Sequence, residues 1–321
     1  MQSNPEDQRI HYHHGLKAGE NTLNMLLVRE VLKLGKDYTP AKYIDAVQAF
    51  LTQPQAHNDL YYEIYLRRFF ENKSTGLTGD QAPANQRDIW SIGSHGGLLQ
   101  AIPMAVLYHN QPLPQATARA LEHMQTMHRS LNLMTYGMII VPLLRDLIHG
   151  DDVEGAFRAA AAQVHAPVIS GKDLIGQYKA NKGPGRIPKD DMWKYHTQLQ
   201  DEPVDFDAII EKVQSGEWSD ADVVGQEGLF TSACYPEFGV PAVFYFALKT
   251  EFDFERALLD NANAGGDNTG RGAVLGGLLG AALGASSIPP HLLEGLAAHK
   301  ELEAEIDRFV EDALQSGGSK Q

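Results

Sequence analysis

Glycines 272, 276, 280 and 284 recur every four residues through the apolar run 272–288. Residues four apart share one face of an α-helix, so these glycines form a gently drifting row. Each costs about 1 kcal/mol in a helix interior relative to alanine, which is tolerable where a neighbouring backbone comes close. The spacing therefore predicts a central helix gripped by others and stopped by Ile288, Pro289 and Pro290. With five glycines and two serines, the run is too short and too weakly apolar for a membrane span.

The rest of the chain carries the same period. Leu23, Leu26, Leu27 and Val31, then Tyr43, Ile44, Val47 and Phe50, mark two amphipathic helices. Further helices are expected over 117–129, 136–148 and 153–164, separated by Ser/Asn/Asp/Gly/Pro punctuation. Few stretches alternate as strands do. The polar stretch 170–207 lacks periodicity and reads as a long loop or lid. No internal repeat is apparent. We expect an all-α fold, a compact multi-helix orthogonal bundle, as one domain over 1–315 with a disordered tail at 316–321.

The formal net charge of −14, with no cluster of lysine and arginine, argues against nucleic acid and anionic membrane as partners. A single cysteine, Cys234, excludes an internal disulfide framework and suits a reducing compartment; it reads as a small buried hydrophobe. The first residues contain no apolar segment of the secretory type, so a cytoplasmic location is expected.

Three short patches could carry chemistry. Residues 261–269 form a polar, glycine-rich turn delivered straight into the glycine-row helix, where Asp267 or Thr269 would cap it. The same helix start, with N–H donors, a carboxylate and a hydroxyl, could hold a hard cation or a phosphate. Gly19, Glu20, Asn21 and Thr22 form a second oxygen-rich patch before an apolar helix. Ser94, His95, Gly96 and Gly97 lie in a glycine-rich loop of the kind that can cradle a pyrophosphate, although no GxGxxG or Walker motif is present. His11, His13 and His14 lack the partner spacing of a zinc site and read as solvated. No GxSxG elbow or HExxH pair supports a nucleophilic or zinc hydrolase.

In chain order these pieces resemble the ADP-ribosylglycohydrolase family. The strongest match is residues 263–284 followed by Ile288-Pro289, which is similar to that family's GGDxD[ST] turn, small-residue helix and Ile-Pro. Residues 253–258 and 239–248 fit the two preceding helices, and 94–103 resembles the glycine-rich stretch ending in Met-Arg-x-x-Pro, with Gln100 in place of the arginine. Met127-His128 resembles a Thr-His pair that opens the next helix. Residues 19–22 fall where the family has its Thr-Asp-Asp-Thr metal motif, and its Gly-Asp-Ala-x-Gly signature has no counterpart ahead of Gly19.

The resemblance implies hydrolysis of an ADP-ribosyl glycosidic bond by metal-assisted activation of water, on an ADP-ribosylated protein or a small ADP-ribose conjugate. It implies magnesium held by Glu20, Asn21, Thr22, Asp267 and Thr269, with Asp267 and Glu20 catalytic and Ser94, His95, Gly96, Gly97 and His128 on the substrate. Four carboxylates would balance a pair of magnesium ions, whereas the matching positions here supply only Glu20 and Asp267. Two divalent ions about 4 Å apart repel by roughly 17 kcal/mol at an effective dielectric constant near 20, so a single ion or none is expected. The alternatives are an inactive relative that binds ADP-ribose or a nucleotide sugar, and a structural or interaction scaffold.

Overall fold

The computed structural model describes residues 23–53, 62–85, 93–150, 152–181 and 198–316. Helices α1 (Leu23–Leu34) and α2 (Pro40–Thr52) follow the anticipated periodicity, and α2 buries Tyr43, Val47 and Leu51 at intervals of one turn. The Thr39 hydroxyl accepts from the Lys42 amide to start α2, with Pro40 at its first position. Helix α3 (Ile64–Ser74) leads to a two-residue strand β1 (Ala84–Asn85). Then come α4 (His95–Leu99), α5 (Ala101–Leu107) and α6 (Leu113–Met124), followed by β2 (His128–Arg129), which pairs parallel with β1.

Helix α7 (Leu131–His149) is capped by Ser130, whose hydroxyl accepts from the Leu133 amide. After it come α8 (Val153–Ala161), α9 (Gly171–Ala180), α10 (Phe206–Gln214) and α11 (Asp220–Val223). A second parallel pair, β3 (Val224–Gly225) and β4 (Phe230–Thr231), precedes α12 (Pro236–Lys249), α13 (Phe254–Asn263) and α14 (Asn268–Leu283). Helices α15 (Pro290–Glu294) and α16 (His299–Ser316) complete the described chain. One main hydrophobic cluster draws on residues from Leu27 to Phe309.

The fold is the expected all-α type, with several local corrections. The helix placed over 117–129 ends at Met124, because the chain then turns into β2, where the Met127 carbonyl accepts from the Ala84 amide. Within the supposed loop 170–207, Ser170 caps α9, which lays Leu174 against Ile169 and Phe238. Residues 182–197 lie outside the described ones. Helix α16 runs on through Ser316, one residue into the expected tail.

The glycine-row helix is real, but the row is closely gripped only at its start, by Asn261 on Gly272. Val274, Leu275, Leu278 and Leu279 of α14 are buried, while no heavy atom lies within 4 Å of where a Gly280 Cβ would stand. Gly276 has only ordinary contact with Leu258, at 3.8 Å; the crowded positions are Gly272, whose Cβ would stand 2.8 Å from Asn261 Nδ2, and Gly277, whose Cβ would overlap Ile102. Gly284, at φ +81°, ends the helix before Ile288 is reached. The central helix is α12, buried continuously from Pro236 to Ala247 and packed on α7, α13 and α14. Among the described helices, α7 rather than 272–288 is long and apolar enough to cross a membrane; it lies half-buried against its neighbours.

Candidate functional site

The turn before α14 is fixed by interactions that the composition alone does not reveal. Gly265 and Gly266 take left-handed φ values of +67° and +65°, and a Cβ on Gly266 would overlap the Ser232 carbonyl. That carbonyl accepts from the Asp267 amide at 3.0 Å, stitching the turn to the segment after β4. Beneath it, Arg271 is fully buried and donates to Asn261 Oδ1 at 2.6 Å, the Asn261 carbonyl at 3.2 Å and the Gly265 carbonyl at 3.0 Å. Burial lowers the Arg271 pKa to about 10, against the opposing charge of Asp267. The guanidinium stays charged at neutral pH and clamps both ends of the turn.

Asp267 stands at the N-cap position of α14, with its carboxylate beside the Gly270 amide. Its Oδ2 lies 2.7 Å from His95 Nδ1, with the aspartate side chain 31% exposed and the histidine 1%. Burial raises the Asp267 pKa, but the His95 hydrogen bond and charge, the Gly270 amide and Arg271 outweigh it and hold the carboxylate below its ordinary value. The pair thus presents an ionised oxygen at the surface on a buried support.

His95 is held from three sides. Its amide donates to the Cys234 carbonyl at 3.0 Å. Its ring lies on Gly239 of α12, where a Cβ would overlap the ring atoms, and its own Cβ is 3.0 Å from where a Gly270 Cβ would stand. Nε2 is buried with no hydrogen-bond partner among the described residues. Next to it, the Ser94 hydroxyl donates to the Glu63 carboxylate through a short hydrogen bond. Gly96 and Gly97 are buried in α4, and the Gly97 amide donates to the Ser94 carbonyl at 3.0 Å. The His95 and Gly97 amides are thus occupied inside the protein, and His95 supports Asp267.

The walls add groups missed in the sequence. Glu237, in the first turn of α12, is 2% exposed; burial pushes its carboxyl up to about 7, and Oε2 has no partner among the described residues. Cys234 is exposed, correcting the buried expectation. The protein packed around its thiol, with the charges of Asp267, Glu63 and Glu237, pushes the pKa up to about 12, which argues against a thiolate nucleophile. Thr269 is exposed, its hydroxyl 3.4 Å from Asn268 Oδ1. Gln100 is far from solvent: its Oε1 accepts from Tyr43 at 3.4 Å and His123 Nε2 at 3.3 Å in an interior network that Tyr38 completes.

Glu20, Asn21 and Thr22, like His11, His13 and His14, lie outside the described residues. Residues 19–22 immediately precede α1, which packs against α4, the helix that begins with His95. The backbone of His128 sits in β2 opposite Ala84, before Ser130 caps α7, so the Met127-His128 pair does not itself open that helix.

The donors for a pair of magnesium ions are not assembled among the described residues. Among the described residues, no three His, Cys, Asp or Glu side chains are gathered as a metal site would need. The one motif carboxylate in view, Asp267, already has an oxygen against His95 and a guanidinium in the turn behind it.

A search of curated proteins finds no match. Among solved structures, an "ADP-ribosylglycohydrolase-related protein complex" superposes with a TM-score of 0.56 at 18% identity, over 90% of this chain and 79% of that one, a likeness of fold. The family model described as ADP-ribosylglycohydrolase matches residues 12–319. With that match running from ahead of the first described helix to beyond the last, the chain belongs to the ADP-ribosylglycohydrolase family.

Proposed function

We propose that this protein hydrolyses an ADP-ribosyl glycosidic bond in an ADP-ribosylated protein or a small ADP-ribose conjugate. The observation that carries the reading is the His95–Asp267 pair, a partly exposed carboxylate kept at the family's turn and fixed by a buried imidazole. Glycoside cleavage develops positive charge on the ribose ring, and a preorganised carboxylate at that point lowers the barrier electrostatically. An aspartate held below its ordinary pKa suits this role better than that of a strong base. In this reading water bonds to the anomeric carbon as the glycosidic bond breaks, and the proton that the water loses is balanced by the one that the leaving group takes up. Glu20 is assigned as a second carboxylate on the sequence motif alone, and Ser94 with Glu63 as a polar wall beside the substrate.

The test is chromatographic detection of ADP-ribose released from conjugates linked through arginine, serine or acetylated ribose. Turnover by the parent protein, abolished in Asp267→Asn with folding retained, is the expected result. No release from any of the three linkages would refute the proposal.

A further inference from the structure

We propose that the His95 ring N–H, with the Arg271 guanidinium behind it, already serves the Asp267 carboxylate, so that this site is built to work without a divalent ion. A carboxylate only accepts hydrogen bonds, so in the 2.7 Å contact Nδ1 is the donor. Its proton points at Oδ2, and an ion reaching that oxygen would have to displace it.

The ring has little room to withdraw. It is 1% exposed, its own amide is tied to the Cys234 carbonyl, and its far edge rests on the bare Cα of Gly239. Gly270, one turn into α14, leaves space beside the His95 Cβ where an alanine would stand at 3.0 Å. Gly239 of α12 thus accommodates the imidazole, and Gly270 of α14 the His95 Cβ and the Asp267 carboxylate, which marks the pair as a built feature. Arg271, clamped behind the same turn, supplies a second positive group towards Asp267. The carboxylate is therefore balanced by groups of the protein itself. His95 is a positioning residue in this account: it acts through Asp267 and does not touch substrate.

The inference goes beyond the hydrolase reading, and its test needs no turnover. Calorimetric titration of the full chain with MgCl2 and with MnCl2 should show no binding heat. Proton NMR should show a low-field imidazole N–H resonance that is lost in Asp267→Asn and in His95→Ala. The Asp267→Asn variant preserves size, so the resonance can still be assigned if His95→Ala fails to fold. Binding of either ion to the parent that Asp267→Asn removes would overturn the proposal, as would absence of the N–H resonance. If the metal-free protein has these properties but releases no ADP-ribose, the hydrolase reading fails and this one stands. If turnover occurs only with bound ion, the reverse holds.

Discussion

The most local test of this architecture is Gly239→Ala in the buried helix α12. The added methyl would overlap the His95 ring at Nε2, Cε1 and Cδ2, and the ring lies in the interior with its amide fixed. Something must shift, and the ring can move only by abandoning its 2.7 Å contact with Asp267. Overpacking in a dense interior costs about 1 to 3 kcal/mol, and losing a charge-assisted hydrogen bond adds on the order of 1 kcal/mol at a partly exposed pair. Set against this is the roughly 1 kcal/mol that alanine gains over glycine in a helix, leaving a net loss of about 1 to 3 kcal/mol. Gly280→Ala is the matched control: with no heavy atom within 4 Å, it should be neutral or stabilise by up to about 1 kcal/mol. Urea unfolding followed by circular dichroism measures both, and the low-field His95 resonance reports the pair directly. An unchanged midpoint and resonance in Gly239→Ala, or equal losses in the two variants, would refute the reasoning.

Arg271→Met should destabilise by on the order of 3 kcal/mol, since it strands the Asn261 and Gly265 carbonyls and the Asn261 side chain in the interior. A urea midpoint at the parent's value would contradict the clamp. Glu237 gives a pH signature: its folded pKa, about 7, lies above the unfolded value near 4.3, so its contribution is fully present below about pH 4 and is lost as pH rises through 7. Glu237→Gln should therefore remove a loss of about 3 kcal/mol between pH 4 and pH 8 and be the more stable protein at pH 8, a comparison of unfolding curves at the two pH values.

Much of the fold was legible because burial imposes period. Tyr43, Val47 and Leu51 point inward once per turn of α2, and the same arithmetic located α7, α8 and α14. The errors fell where the deciding contact is distant in sequence. Met127 looked like another helical apolar residue, but its carbonyl is claimed by Ala84, 43 positions earlier. Helix α9 was hidden because Leu174 is its one large buried apolar residue, covered by Ile169 and Phe238. The glycine row reported a helix correctly but its grip only at Gly272, since repetition every four residues says nothing about which face meets a neighbour.

The site divides along the same line. Asp267 could be found from the turn that carries it, but its state is decided by His95, 172 residues away. A signal did exist in Arg271, the only charged residue in α14, because a lone cation on an apolar helix must find acceptors or remain outside the core. It finds them in Asn261 and Gly265, and that obligation holds the turn in shape. Gly239 and Gly270 carry the complementary signal, unreadable from sequence: the His95 ring occupies the space beside the first, and the Asp267 carboxylate with the His95 Cβ the space beside the second. The buried imidazole and guanidinium supply positive charge or N–H density to the carboxylate, which is why Asp267 can remain ionised beside a largely buried histidine.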